Sequence, residues 1–260
     1  GKIIHVYKES VDKALVKTNA RTLKQELIST QSQLTQGPLT QVYAHKDRVW
    51  YAINDTELWG VNTITDATFK IADIGEEFLF LVCDGEYVWL FLTNSHMLAK
   101  VSCGGNILLR VPSPLSKPDV QFCACAAGGY LWVADLWYGR ISKIDTTTGE
   151  KCGDITYNPD AFPYGKLFTD GAFLWLVNAN HAIKIDMETG ASMQIDREDS
   201  PDDSDNADVL FDDRHIWVLG SSRVTVLDPN TLKIVDGATW PSPYWTTFMF
   251  QDEEHLYVVY

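Results

Sequence analysis

Residues 128–149 read GGYLWVADLWYGRISKIDTTTG, and the parsing of this stretch decides the fold. A Gly128-Gly129 turn opens a strand carrying Leu131, Trp132 and Val133. A polar loop follows, then a second alternating strand with Ile141, Lys143, Ile144 and Asp145, and Thr146-Thr147-Thr148-Gly149 turns the chain again. The same order of features returns at residues 170–190 as DGAFLWLVNANHAIKIDMETG. It recurs more loosely from Asp212 as DDRHIWVLGSSRVTVLDPNTL.

Outward from this stretch, the aromatic anchor sets the period. Trp50, Trp89, Trp132, Trp175 and Trp217 follow one another at intervals of 39, 43, 43 and 42 residues. Tyr7 stands 43 residues before the first and Tyr257 stands 40 after the last. A repeat of about 40–45 residues with four short strands per unit is the signature of a β-propeller. A helical solenoid of similar period would space its apolar residues by 3.6, whereas here they alternate, as at Val224 and Val226. The fold class is therefore all-β, a single β-propeller domain over residues 1–260.

Each unit divides into strands A to D. In the repeat around Trp175, A lies near residues 167–169, B at 173–177, C at 182–186 and D at about 191–196. Asp170-Gly171 is a two-residue hairpin signal, because Gly accepts positive φ, and Asp84-Gly85, Gly128-Gly129 and Asp212-Asp213 are its counterparts. The B-strand tryptophans are expected to wedge between neighbouring blades. Asp145, Asp186 and Asp228 are expected to hold the turn after strand C through their carboxylates. Five complete units run from roughly residue 40 to 243. Residues 1–36 and 246–260 then supply strands that close one shared blade, since an open propeller leaves sheet edges unpaired. This gives six blades with one B-type strand surplus, and seven blades is the alternative.

Composition narrows the function. The net charge of −14 argues against a nucleic-acid groove, which needs a basic stripe to displace counterions. It argues equally against an anionic membrane surface. No apolar run approaches the roughly 20 residues that span a bilayer, and the opening GKIIHVYKES has no apolar signal-peptide core. Five cysteines (83, 103, 123, 125 and 152) are an odd number in a chain long enough to need no staples. A reducing, cytoplasmic setting is the expectation.

The pattern carried by Asp170, Gly171, Leu174, Trp175, Ile183, Lys184, Ile185, Asp186 and Gly190 resembles the repeat of YVTN-type and virginiamycin-B-lyase-like propellers. Leu131, Trp132, Ile141, Ile144, Asp145 and Gly149 carry it in the preceding unit. These residues specify the blade. The resemblance implies for the lyases a catalytic His with a Glu and Mg²⁺, but no local motif here carries those roles to any position. No catalytic residue, metal or cofactor is assigned.

A binding surface has better support. In propellers of this kind the B–C and D–A loops gather on one face. The B–C loops include 135–140 (DLWYGR), with Trp137, Tyr138 and Arg140, and others that carry His96, His181 and Arg223. His96 and His181 are expected at equivalent places, where two histidines could ligate a metal or act as acid and base. The D–A loops VPSPLSKPD (111–119), NPDAFPYG (158–165) and WPSPYW (240–245) are stiffened by proline and carry Phe162, Tyr164, Trp240, Tyr244 and Trp245. Preorganised aromatics lose little side-chain entropy on binding, which suits peptides and sugars alike; the alternative is that these rings only plug the core. The loop at 197–208 holds six carboxylates that could coordinate Ca²⁺, though it lacks the Asp-x-Asp-x-Asp-Gly order and reads better as a solvated insertion. Trp137, Tyr138, Arg140, Phe162, Tyr164, His181, Arg223, Tyr244 and Trp245 are thus the candidate ligand-binding residues. The expected partner is a protein or peptide, within a larger protein or complex, with no nucleic acid or membrane. A metal-dependent lyase or hydrolase and a carbohydrate-binding propeller are the rival readings.

Overall fold

The computed structural model describes residues 2–6, 14–18, 25–30, 39–45, 48–53, 55–62, 67–83, 87–117, 121–161, 165–178, 181–196, 208–211, 214–219, 223–231, 233–239, 248–251 and 255–259. The described chain is almost all strand. It opens with β1 (Lys2–Val6), β2 (Ala14–Thr18) and β3 (Gln25–Thr30). The first full unit is β4 (Leu39–His45), β5 (Arg48–Ile53), β6 (Glu57–Asn62) and β7 (Thr68–Asp73). The second is β8 (Phe78–Cys83), β9 (Tyr87–Leu92), β10 (Met97–Ser102) and β11 (Ile107–Pro112). The third is β12 (Phe122–Ala127), β13 (Tyr130–Asp135), β14 (Arg140–Asp145) and β15 (Lys151–Thr156). A short 3-10 turn, Pro159–Ala161, leads into β16 (Lys166–Thr169), β17 (Phe173–Val177), β18 (His181–Asp186) and β19 (Ser192–Asp196). The fifth is β20 (Asp208–Phe211), β21 (Ile216–Leu219), β22 (Arg223–Leu227) and β23 (Ile234–Thr239), and β24 (Phe248–Gln251) and β25 (His255–Val259) finish the chain. The A-to-D parsing holds, with strand limits within a residue or two of those read from the repeat.

Among the described residues, five sheets have four strands in sequence order, each an up-and-down meander. The strands divide between two compact units, one holding residues 1–9, 119–144 and 152–260, the other 10–118 and 145–151. Within the first, β12 lies beside β16, β16 beside β20 and β20 beside β24; within the second, β4 lies beside β8. The A strands of successive sheets are thus the neighbours.

The tryptophans pack as the repeat requires. Trp50, Trp89, Trp132 and Trp175 are buried. Trp132, Ala134 and Leu136 form one core cluster with Leu167, Leu174, Leu176, Ile183 and Ile185 of the next sheet. Trp175, Val177 and Ala182 do the same with Ile216, Val218 and Leu227, and Trp50, Ala52 and Leu58 with Leu90, Leu92 and Ala99. The rings of Trp50, Trp132 and Trp175 therefore each sit between their own sheet and the one that follows. Trp217 differs: it is half-buried, with His215 edge-on to its ring at 6.4 Å between centroids.

Lysines complete the clasp between sheets, a role the repeat pattern did not suggest. Register places Lys100 opposite Trp89 and Lys184 opposite Trp175. Lys100 Nζ lies 4.1 Å from the Tyr87 ring centroid, Lys143 Nζ 4.0 Å from Tyr130 and Lys184 Nζ 4.0 Å from Phe173, each also over the wedge tryptophan. Lys100 then donates to Thr146 O at 2.9 Å and Lys143 to Met187 O at 3.2 Å. Both acceptors follow the turn aspartate of the next repeat. Gly60 and Val226 stand opposite Trp50 and Trp217, so the first and fifth sheets lack the lysine.

The chain ends correct one expectation. Residues near the two ends do pair, in a sheet ordered β1-β25-β24. However, β1 runs parallel to β25, with Ile4 opposite Tyr257, while β2 and β3 form a separate two-stranded sheet. A B-type strand inserted into a meander would run antiparallel. The surplus strand thus finds its backbone partners by lying parallel along the last strand.

Candidate functional site

The loop between β13 and β14, residues 136–139, is the best-built of the candidate loops. Leu136 is buried and donates its N–H to Gln121 O at 3.1 Å. Asp135, also buried, accepts the Tyr138 N–H at 3.2 Å through Oδ1 and sits 3.7 Å from Arg140 Nη2 through Oδ2. Gly139 at φ +61° takes the left-handed conformation, and its carbonyl accepts the Tyr157 N–H at 2.7 Å. A Cβ at Gly139 would collide with Tyr157 O and lie 2.9 Å from Pro159 Cδ. The Tyr157 hydroxyl donates to Asp135 O at 3.4 Å, and burial raises the pKa of this phenol. The B–C loop therefore rests directly on the start of the D–A connection.

What this frame holds outward is Trp137, 69% exposed, and Tyr138, 50% exposed. Arg140 is half-buried and turned to Asp135, so it braces the loop from below. Pro159 underlies Gly139, and the next residue, Asp160, is exposed.

The second sheet repeats the frame with different residues. Thr93 donates to Glu77 O at 3.0 Å, as Leu136 does to Gln121, and His96 O accepts the Ser113 N–H at 3.0 Å. His96, at φ +55°, therefore takes the place of Gly139 and sits edge-on to Phe91 at 6.0 Å. His181 is instead the first residue of β18, the place of Arg140 and Met97, and its N–H is held by Asn178 Oδ1 at 2.7 Å. The expected equivalence of His96 and His181 fails by one position, because the loop before β18 is one residue shorter. Among the described residues no three His, Cys, Asp or Glu side chains lie together as a metal site.

Phe162, Tyr164, Tyr244 and Trp245, together with Trp240, lie outside the described residues, as do residues 197–207 of the acidic loop. Arg223 begins β22. In the loop after β11, Leu115 is buried and its N–H is held by Ser113 Oγ at 3.1 Å, so this connection covers core. Cys123 and Cys125 are separated by one residue on β12, and burial pushes both thiols up to about 12.

No protein-family model and no curated protein matches the chain. Solved structures do. BamB from Moraxella catarrhalis matches with a TM-score of 0.58 at 14% identity, over 95% of this chain and 76% of that one. A chain of the mitotic checkpoint complex gives 0.60 at 12% identity, over 80% and 64%. The Neurospora crassa Pan2 WD40 domain gives 0.58 at 12% identity, over 82% and 68%. At this level of identity the likeness is one of fold, and that fold is a β-propeller repeat.

Proposed function

We propose that the protein is a non-enzymatic interaction module that recognises a peptide or protein segment on the loop surface around Trp137 and Tyr138. The carrying observation is their exposure on a loop whose backbone is held at Leu136, Tyr138 and Gly139. Rings held in place before binding lose little entropy on it, and aromatic anchors supply much of the energy at an interface centre. Arg140 acts as a positioning residue. Phe162, Tyr164, His181, Arg223, Tyr244 and Trp245 belong to the same surface in this reading, and six blades complete the architecture. The fold neighbours from the mitotic checkpoint complex and the Pan2 WD40 domain support a propeller used for protein assembly.

The test is a displayed random-peptide library selected on the wild-type protein. Enriched peptides are expected to lose roughly tenfold or more in affinity for the Trp137→Ala/Tyr138→Ala variant. Its melting temperature should stay unchanged, since both side chains are exposed. Peptides that bind the double variant as tightly as wild type would remove this surface from the function.

A further inference from the structure

Resting on the recognition surface just described, we infer that its partner is a basic segment, whose arginine or lysine side chains stack on Trp137 and Tyr138. Three observations point to a cation. The loop that carries the two exposed rings rests on residues 157–159, Asn158 and Asp160 are exposed, and Arg140 is directed to Asp135. Trp137 and Tyr138 are neighbours on one loop and need no further apolar surface to hold a cation. They suffice for a guanidinium or ammonium, which binds the face of Trp or Tyr through the ring quadrupole.

The chain itself uses this chemistry three times. Lys100, Lys143 and Lys184 each lie about 4 Å over a Tyr or Phe ring, and Lys100 and Lys143 also donate to a backbone carbonyl. Among the described residues no cation covers Trp137 or Tyr138. Charge agrees. The chain carries −14, so a basic segment is attracted at long range, and Asp160, next to the proline beneath Gly139, offers a local counter-charge.

The probe is a ten-residue peptide alternating Arg and Gly, with its Gln-Gly counterpart as control, titrated calorimetrically into the intact protein. The Arg peptide is expected to bind roughly tenfold tighter than the Gln peptide and to lose that margin on Trp137→Ala/Tyr138→Ala. Trp137→Phe should retain part of it, since phenylalanine has the weaker quadrupole. Asp160→Asn should cost about two- to threefold, an effect that shrinks as salt rises. If the double variant binds the Arg peptide as wild type does, the attraction is only that of an acidic protein, and the inference falls. Library-selected peptides separate the two levels. Neutral peptides that still depend on both rings would keep the recognition surface and discard the basic partner. Loss of ring dependence for every peptide would discard both.

Discussion

Trp132 and Trp175 hold the same place in successive repeats, yet their indole N–H groups fare differently. Trp175 Nε1 donates to Asp170 Oδ2 at 2.9 Å, and the same carboxylate accepts the N–H groups of Ala172 and Phe173. The residue five before Trp132 is Ala127, and Trp132 Nε1 is buried with no hydrogen-bond partner. A buried donor left unsatisfied costs about 1–3 kcal/mol, so Asp170→Ala should destabilise by that amount, and Ala127→Asp should return about 1 kcal/mol. Urea unfolding of the two variants checks both signs. Burial pushes the Asp170 carboxyl up, but the bonds from Phe173, Trp175 and Ala172 and the charge of Lys184 outweigh it and hold its pKa below the ordinary 3.8. A depressed carboxylate stabilises above its unfolded pKa and ceases to do so as pH falls through the folded one. The cost of Asp170→Ala should therefore shrink below about pH 4. Lys143 offers a second test. Lys143→Met keeps the stem but removes the charge over Tyr130 and the bond to Met187 O, and should cost about 1 kcal/mol by the same measurement.

The turns after strand C are each organised by one aspartate. Asp145 Oδ1 accepts the N–H groups of Thr147 and Thr148, Asp186 those of Glu188 and Thr189, and Asp228 those of Asn230 and Thr231. These bonds, chiefly those from Thr148, Thr189 and Thr231, hold the three carboxylates below their ordinary value. Their shared contribution is present at neutral pH and fades as pH drops through the depressed values. A variant with all three changed to Ala should have a lower urea midpoint than wild type at pH 7, with the gap narrowing by pH 3. A constant gap would mean that the charges are not responsible. The loop at residues 136–139 is a tighter element, because Gly139 joins positive φ to close backbone contact. Gly139→Ala should cost about 1–2 kcal/mol for the left-handed conformation alone and should displace Trp137 and Tyr138. Peptide affinity is then expected to fall more than for Tyr138→Ala alone, which titration of both variants would show.

At the scale of the molecule, stability depends on sheets that cannot bury their faces alone. Trp132 and Trp175 each join two sheets in one cluster, so Trp132→Ala or Trp175→Ala should cost roughly 3–5 kcal/mol. A loss below about 1 kcal/mol in urea unfolding would contradict the packing described for them. The terminal strands are a second dependency. Deleting residues 247–260 removes β24 and β25 and strips β1 of its backbone partners. Aggregation or a broadened unfolding transition is expected. A truncated chain that stays monomeric with an unchanged melting temperature would show that this sheet does not support the rest.

The sequence by itself determined the blade, because local rules are strong where a pattern repeats. Alternation placed the strands, the tryptophan interval set the period, Asp170-Gly171 marked a hairpin, and Asp145, Asp186 and Asp228 announced their turns. Each of these depends on residues a few positions apart. The wedge role of Trp50, Trp132 and Trp175 was legible too, since a large ring at a fixed place in the repeat has the sheet interface to fill. Tertiary structure alone decided the rest. Lys143 reads as a polar position on strand C until the next sheet brings Met187 O to it, 44 residues away. The parallel pairing of β1 with β25 joins residues more than 250 apart, and no local pattern encodes direction over that distance. Arg140 and Trp137 looked alike as binding residues. The fold turned one onto the buried Asp135 and left the other in solvent, because a carboxylate inside the loop needs a counter-charge and an indole at its tip does not.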